Sequence, residues 1–158
     1  MHSDVDKHFS VYNTRDKVGQ FVAVYPVCEN PFVEYAIVKL CRARKRVYMK
    51  PTPDSYDFTY VYDYLFKEYH ITFPLTDFEA GMLNLMNIIP SQLRPNSWAF
   101  VKCFELLCDQ LGLDPSLNVF TYFYQMKFDK LVGWVSLSPS HSSPFFNLYN
   151  SSYKYFKP

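Results

Sequence analysis

The segment Pro90-Ser91-Gln92-Leu93-Arg94-Pro95-Asn96-Ser97-Trp98 runs straight into Ala99-Phe100-Val101-Lys102-Cys103-Phe104-Glu105-Leu106-Leu107-Cys108, and its reading decides the fold. Two prolines with polar residues between them hold an extended approach to a helix. Each disfavours the α region in the residue before it, and neither has an N–H to donate. Beyond them Trp98, Val101, Phe104, Cys108 and Leu111 recur at spacings of three and four. That spacing predicts a helix from about Ser97 to Leu111, with those side chains on its buried face and Gly112 as its stop.

Working outward, Thr76-Asp77-Phe78-Glu79 reads as a capping box, which predicts a helix from Asp77 to about Met86, ended by Asn87 and Pro90. Phe58 to Tyr69 fits both a strand alternation and a helical stripe, and Asp57 as N-cap favours a helix. Downstream, Asp114 as cap and Pro115 at the first position predict a further helix whose apolar face is Val119, Phe120, Phe123 and Tyr124. After Lys130 the pattern changes. Gly133 to Ser138 and Phe145 to Tyr149 flank a Pro139–Pro144 loop and read as a β-hairpin. Near the N-terminus, Gln20 to Cys28 and Phe32 to Cys41, rich in Val, Tyr, Phe and Ile, read as a short pair of strands, the second of which also fits a helix by length. The expectation is an α+β fold: a mainly helical domain of about four helices followed by a β-hairpin, preceded by a short strand-rich segment. The linker Pro51-Thr52-Pro53-Asp54-Ser55 divides residues 1–50 from 51–158.

Composition narrows the class. The 158 residues include 14 Tyr and 15 Phe, too aromatic for a disordered chain, and only 4 Gly against 11 Pro, so breaks are made by proline and polar caps. A net charge of +1 gives no global attraction to nucleic acid or anionic membrane, so any such binding must come from a local patch. One exists: Arg42, Arg44, Lys45, Arg46 and Lys50 stand together with no acid among them, which reads first as a solvated basic turn and, as the alternative, as a nucleic-acid contact or nuclear import signal. No basic, apolar leader opens the chain and no apolar run approaches membrane-spanning length, which leads to the expectation of a soluble, intracellular protein, nuclear or cytoplasmic.

Catalytic and metal chemistry find little support in the sequence. Cys28, Cys41, Cys103 and Cys108 lack zinc spacing, and none of His2, His8, His70 and His141 completes a ligand set, so free thiols are expected. Two-metal strand transfer needs three convergent acids on a mixed sheet. Here Asp57 and Asp63 bracket an aromatic helix, Asp77 and Glu79 serve a cap, and Glu105 and Asp109 read as a pair on the exposed side of their helix. A helix-turn-helix reading of the last two helices fails because the outward positions Ser116, Asn118, Thr121, Tyr122 and Gln125 carry no cation. Trp98 and Trp134 read as core anchors. No catalytic residue, cofactor, metal or small-molecule ligand is expected.

From about Val47 onward the order of motifs resembles the plant gypsy-type transposon domain. The pieces that carry the resemblance are Phe58–Tyr62, Phe73–Phe78, Pro90–Leu93, Pro95–Trp98, Trp134–Leu137 and Ser152–Lys157. The resemblance implies a plant retrotransposon product in which this domain lies toward the N-terminal side of a longer protein. Relatives continue past the Tyr-Lys-Tyr-Phe-Lys segment, so a fragment truncated at its C-terminus is expected. The expected role is non-enzymatic protein interaction or assembly, with other element-encoded proteins or by self-association. The alternative is nucleic-acid binding through residues 42–50.

Overall fold

The computed structural model describes residues 11–28, 61–129 and 133–140. The chain divides into two compact units, Met1–Pro74 and Leu75–Pro158.

In the first unit α1 (Arg15–Val24) starts at Thr14, whose hydroxyl accepts from the Lys17 N–H at 3.4 Å, with Asp16 in the first turn where the helix dipole favours an acid. This corrects the strand expected over Gln20–Cys28. The cap and the spacing of Val18, Phe21 and Tyr25, three and four apart on one face, outweigh the β-branched content. Phe21 is the residue this helix buries. Only Cys28 behaves as strand, in a single parallel bridge to Phe73, beside the Phe73 N–H bond to Val27 O at 2.7 Å. The second expected strand, Phe32–Cys41, and the Pro51–Ser55 linker lie outside the described residues.

The helix expected over Phe58–Tyr69 is, within the described residues, one turn: α2 (Tyr64–Lys67). Asp63 precedes it without a side-chain cap. Its carboxylate instead accepts from Tyr12 Oη at 2.9 Å and from Lys67 Nζ at 2.6 Å. His70, at φ 50°, turns the chain out of the helix, and the Ile71 N–H bonds back to Leu65 O. Phe21, Val27 and Phe66 form one buried cluster in this unit, lined by Tyr12, Tyr25, Val61 and Phe73, and Leu65 and Ile71 are also buried. The Lys67 ammonium lies within 6 Å of the Tyr12, Phe21 and Tyr25 ring centres.

Among its described residues the second unit has three α-helices and a hairpin. α3 (Asp77–Met86) has the capping box the sequence predicts: Glu79 N–H donates to Thr76 Oγ1 at 3.1 Å and Thr76 N–H to Glu79 Oε2 at 3.0 Å. It ends at Asn87 in the left-handed region. α4 (Pro95–Leu111) starts with proline at its first position and ends at Gly112, φ 64°. There a residue with a Cβ would be strained. Its buried face is wider than expected: Ala99 and Phe100 join Trp98, Val101, Phe104 and Cys108, whereas Leu111 is 62% exposed. The interior begins to thin one turn before the helix ends.

α5 (Leu117–Phe123) is capped at Ser116, not at Asp114. It packs close to α3, where a Cβ on Gly81 would come within 2.9 Å of Leu117 Cδ1. Phe120 is fully buried, while Val119 is exposed. The aromatic core runs through edge contacts of Phe120 with Phe78 and Phe104 (5.6 and 5.2 Å) and on to Tyr124, 4.8 Å from Phe120 and 4.9 Å from Phe100.

The hairpin is real, but its partner strand differs from the expected one. β1 (Tyr124–Asp129) pairs antiparallel with β2 (Trp134–Pro139), from Tyr124 opposite Pro139 to Asp129 opposite Trp134. Residues 124–129 therefore leave the helix as soon as Phe120 and Tyr124 have reached the core. Residues 145–149 lie outside the described residues. The mixed, mainly helical α+β class stands.

Candidate functional site

The Pro90–Trp98 segment is a clasp between α4 and the hairpin. A 3₁₀ turn (Pro90–Gln92) brings the chain to Leu93, which makes a parallel bridge to Val135. Gln92 works in both directions, its Oε1 accepting the Ile89 N–H at 3.0 Å and its Nε2 donating to Gly133 O at 3.2 Å. The Arg94 N–H donates to Val135 O at 2.9 Å. Its guanidinium lies 5.3 Å from the Trp134 ring centre and 3.5 Å from Asp129. At the third residue of α4, buried Ser97 Oγ accepts the Leu137 N–H at 2.8 Å. Trp98, 1% exposed, donates its indole N–H to Pro90 O at 3.2 Å. Val135 O and Leu137 N–H of β2 are thus met by Arg94, just before α4, and Ser97, in its first turn.

Residues 62–128 match the family model described as "Putative gypsy type transposon". The match runs from α2 to β1 and takes in three of the motif pieces, Phe73–Phe78, Pro90–Leu93 and Pro95–Trp98; Phe58–Tyr62 straddles its start. Trp134–Leu137 and Ser152–Lys157 lie beyond it. No curated protein and no solved structure matches the chain. In the matched segment the two prolines are explained by structure: Pro90 opens the turn and supplies the carbonyl for Trp98, and Pro95 opens the helix.

Two acids of the matched segment, Glu79 and Glu105, are engaged in packing. Glu79, 2% exposed, and Glu105 share the Lys102 ammonium, each at 2.9 Å. Thr76 Oγ1 donates to Glu105 Oε1 at 2.6 Å. This corrects the reading of Glu105 as an exposed partner of Asp109: it is 12% exposed and faces α3. Burial disfavours the charged form of Glu79 and holds its carboxyl above the usual range, with Glu105 adding repulsion, although Lys102 pulls the other way. For Lys102 burial is outweighed by its two carboxylates, which raise it. Periodicity could not have found this triad, because Lys102 and Glu79 are far apart in sequence.

Among the described residues no three of His, Cys, Asp and Glu converge as a metal site, and no helix is long and apolar enough to cross a membrane. Cys28, Cys103 and Cys108 are free thiols, and burial pushes the Cys103 and Cys108 thiols up, away from the reactive thiolate. His70 is exposed on its turn. The candidate nucleic-acid residues Arg42, Arg44, Lys45, Arg46 and Lys50 lie outside the described residues, as does His141.

What the described surface offers is apolar. Met126 and Phe128 on β1 are 48% and 60% exposed, although they share a face with the buried Val135 and Leu137 of β2. A shallow cavity of about 150 Å³ between the end of α4 and the start of α5 is lined by Phe104, Leu107, Cys108, Leu111, Leu113 and Val119. Cross-strand alternation in Tyr124-Gln-Met-Lys-Phe-Asp129 was the available signal for the β1 surface.

Proposed function

We propose that the chain is a non-enzymatic protein-interaction or assembly domain of a gypsy-type transposon product. The observation that carries this reading is where the chemistry-bearing side chains go. Glu79, Lys102, Glu105, Ser97 and Gln92 are bound up in holding α3, α4 and the hairpin together, while bulky apolar groups on β1 and α5 face solvent. A rigid scaffold that exposes aromatic and aliphatic side chains beside a strand edge suits association with protein. Its partners are other segments of the element's protein or a second copy.

The test is direct binding of the purified chain to separately purified neighbouring segments from the same reading frame, beside mobility shifts with single- and double-stranded DNA at two salt concentrations. Saturable protein binding without a DNA shift is expected. A DNA complex whose affinity falls steeply with salt, and which is lost when Arg42, Arg44, Lys45, Arg46 and Lys50 are neutralised, would replace this reading with nucleic-acid binding.

A further inference from the structure

We infer that the cavity between α4 and α5 receives Phe128 of a second copy, so that copies associate head to tail along the axis of α4. This rests on the assembly reading and names its partner.

The cavity follows from how α4 stops. Beyond Gly112 the Leu113 N–H turns back to Cys108 O at 2.9 Å. In this closure an apolar side chain after the glycine commonly packs on the residue whose carbonyl it takes. Here that residue is a cysteine, too short to cover a leucine, and Leu111, Leu113 and Val119 stay exposed around the hollow. At about 150 Å³, with Phe104, Leu107 and Leu111 in its walls, it has the size and lining of a cavity that takes a benzene ring.

An exposed phenyl group stands at the opposite end of the same helix. Phe128 pairs across the hairpin with Val135, whose carbonyl accepts the N–H of Arg94, the residue before α4. The 17 residues of α4 span about 25 Å at a rise of 1.5 Å each, so Phe128 is too far from the cavity of its own chain to enter it. A ring at one end and a receiving cavity at the other make a heterologous contact, which repeats from copy to copy unless a closed ring forms.

Charge favours the same pairing. The cavity end carries exposed Asp109 and Asp114, no base in the last turn of α4, and the negative pole of the helix. The Phe128 end carries exposed Lys127, Arg94 with its contact to Asp129, and the positive pole. Head-to-tail stacking brings opposite signs together, whereas two cavity ends would set acid against acid.

The experiment is sedimentation velocity of the full chain over about 10 to 500 µM, a range suited to a contact made by one aromatic anchor. The average mass is expected to rise with concentration and to pass that of a dimer. Phe128→Ala removes the ring, and Leu111→Glu puts a charge in the cavity wall. Each variant alone should associate about tenfold more weakly or less. Mixed in equal amounts, they supply one intact ring and one intact cavity, so a one-to-one dimer should form and grow no further. Both positions are exposed, and far-UV circular dichroism confirms that each variant is folded. A chain that stays monomeric throughout overturns the proposal. So does either variant assembling as well as the unchanged chain, or a mixture no tighter than its components. None of these outcomes bears on binding to other element segments, and a DNA complex would defeat the assembly reading without touching this one.

Discussion

Lys102→Met should destabilise the second unit by an amount that depends on pH in a defined direction. Lys102 is the only cation in ion-pair contact with Glu79 or Glu105 among the described residues, and Glu79 is almost fully buried. Methionine keeps most of the stem's volume and deletes the charge. Breaking a buried pair on one side typically costs about 3–5 kcal/mol. A ceiling applies here, because the folded chain can protonate Glu79. With an ordinary value of 4.5, that costs at most about 3.4 kcal/mol at pH 7, at 1.36 kcal/mol per unit. At about pH 5 the same ceiling falls to roughly 0.7 kcal/mol.

The sign follows from linkage. A carboxyl whose value is raised on folding binds its proton earlier in the folded chain, so its penalty is largest at neutral pH and fades as pH falls. Urea unfolding followed by tryptophan fluorescence isolates the relevant unit, because both tryptophans, Trp98 and Trp134, lie in it. The loss should be about 2–3 kcal/mol at pH 7 and under about 1 kcal/mol at pH 5. Adding Glu79→Gln to Lys102→Met should recover most of it, since an amide can still accept the Thr76 N–H. A loss that is flat with pH, or smaller than about 1 kcal/mol at pH 7, would refute the claim that the triad is a buried charge balance.

Ser97→Ala should cost about 1–3 kcal/mol in the same assay, because the buried Leu137 N–H loses its acceptor; Ser97→Thr, which keeps the hydroxyl, should lose less. In the first unit, burial would raise Asp63, but bonds from Lys67 and Tyr12 hold it below its usual range. Its contribution is therefore present above 3.8 and lost as pH falls through the lower folded value, and the stability gap between the chain and Asp63→Asn should close on acidification, read by the tyrosine circular dichroism of that unit.

The parts of the fold legible in the sequence are those decided within a few residues. The Thr76–Glu79 capping box and the Gly112 stop need only local geometry, and both helices they bound run where their caps put them. What failed was decided by distant partners. Gln20–Val24 looks like strand by composition, yet the Thr14 cap and the burial of Phe21 prevail. The helix after Asp114 looked longer because Phe120, Phe123 and Tyr124 keep helical spacing. Strand pairing with 134–139 takes the backbone of 124–129 instead. The candidate surface was partly legible for the same reason: alternation in 124–129 was present, but only the hairpin register shows which of its faces is left uncovered.

The clasp explains why the motif that marks this segment is rich in polar residues yet lies at its core. An antiparallel ribbon of two strands is marginal alone, and β2 would present an open edge to the end of α4. Leu93, Arg94 and Ser97 close that edge, and Gln92 ties the strand's first turn. The contacts of Leu93, Arg94 and Ser97 need the backbone extended at Leu93 and Arg94, after the 3₁₀ turn, and helical from Pro95, the switch that a proline at the first helical position enforces. The residues that mark the entry to α4 thus also hold the hairpin in place, through Val135 and Leu137 of β2.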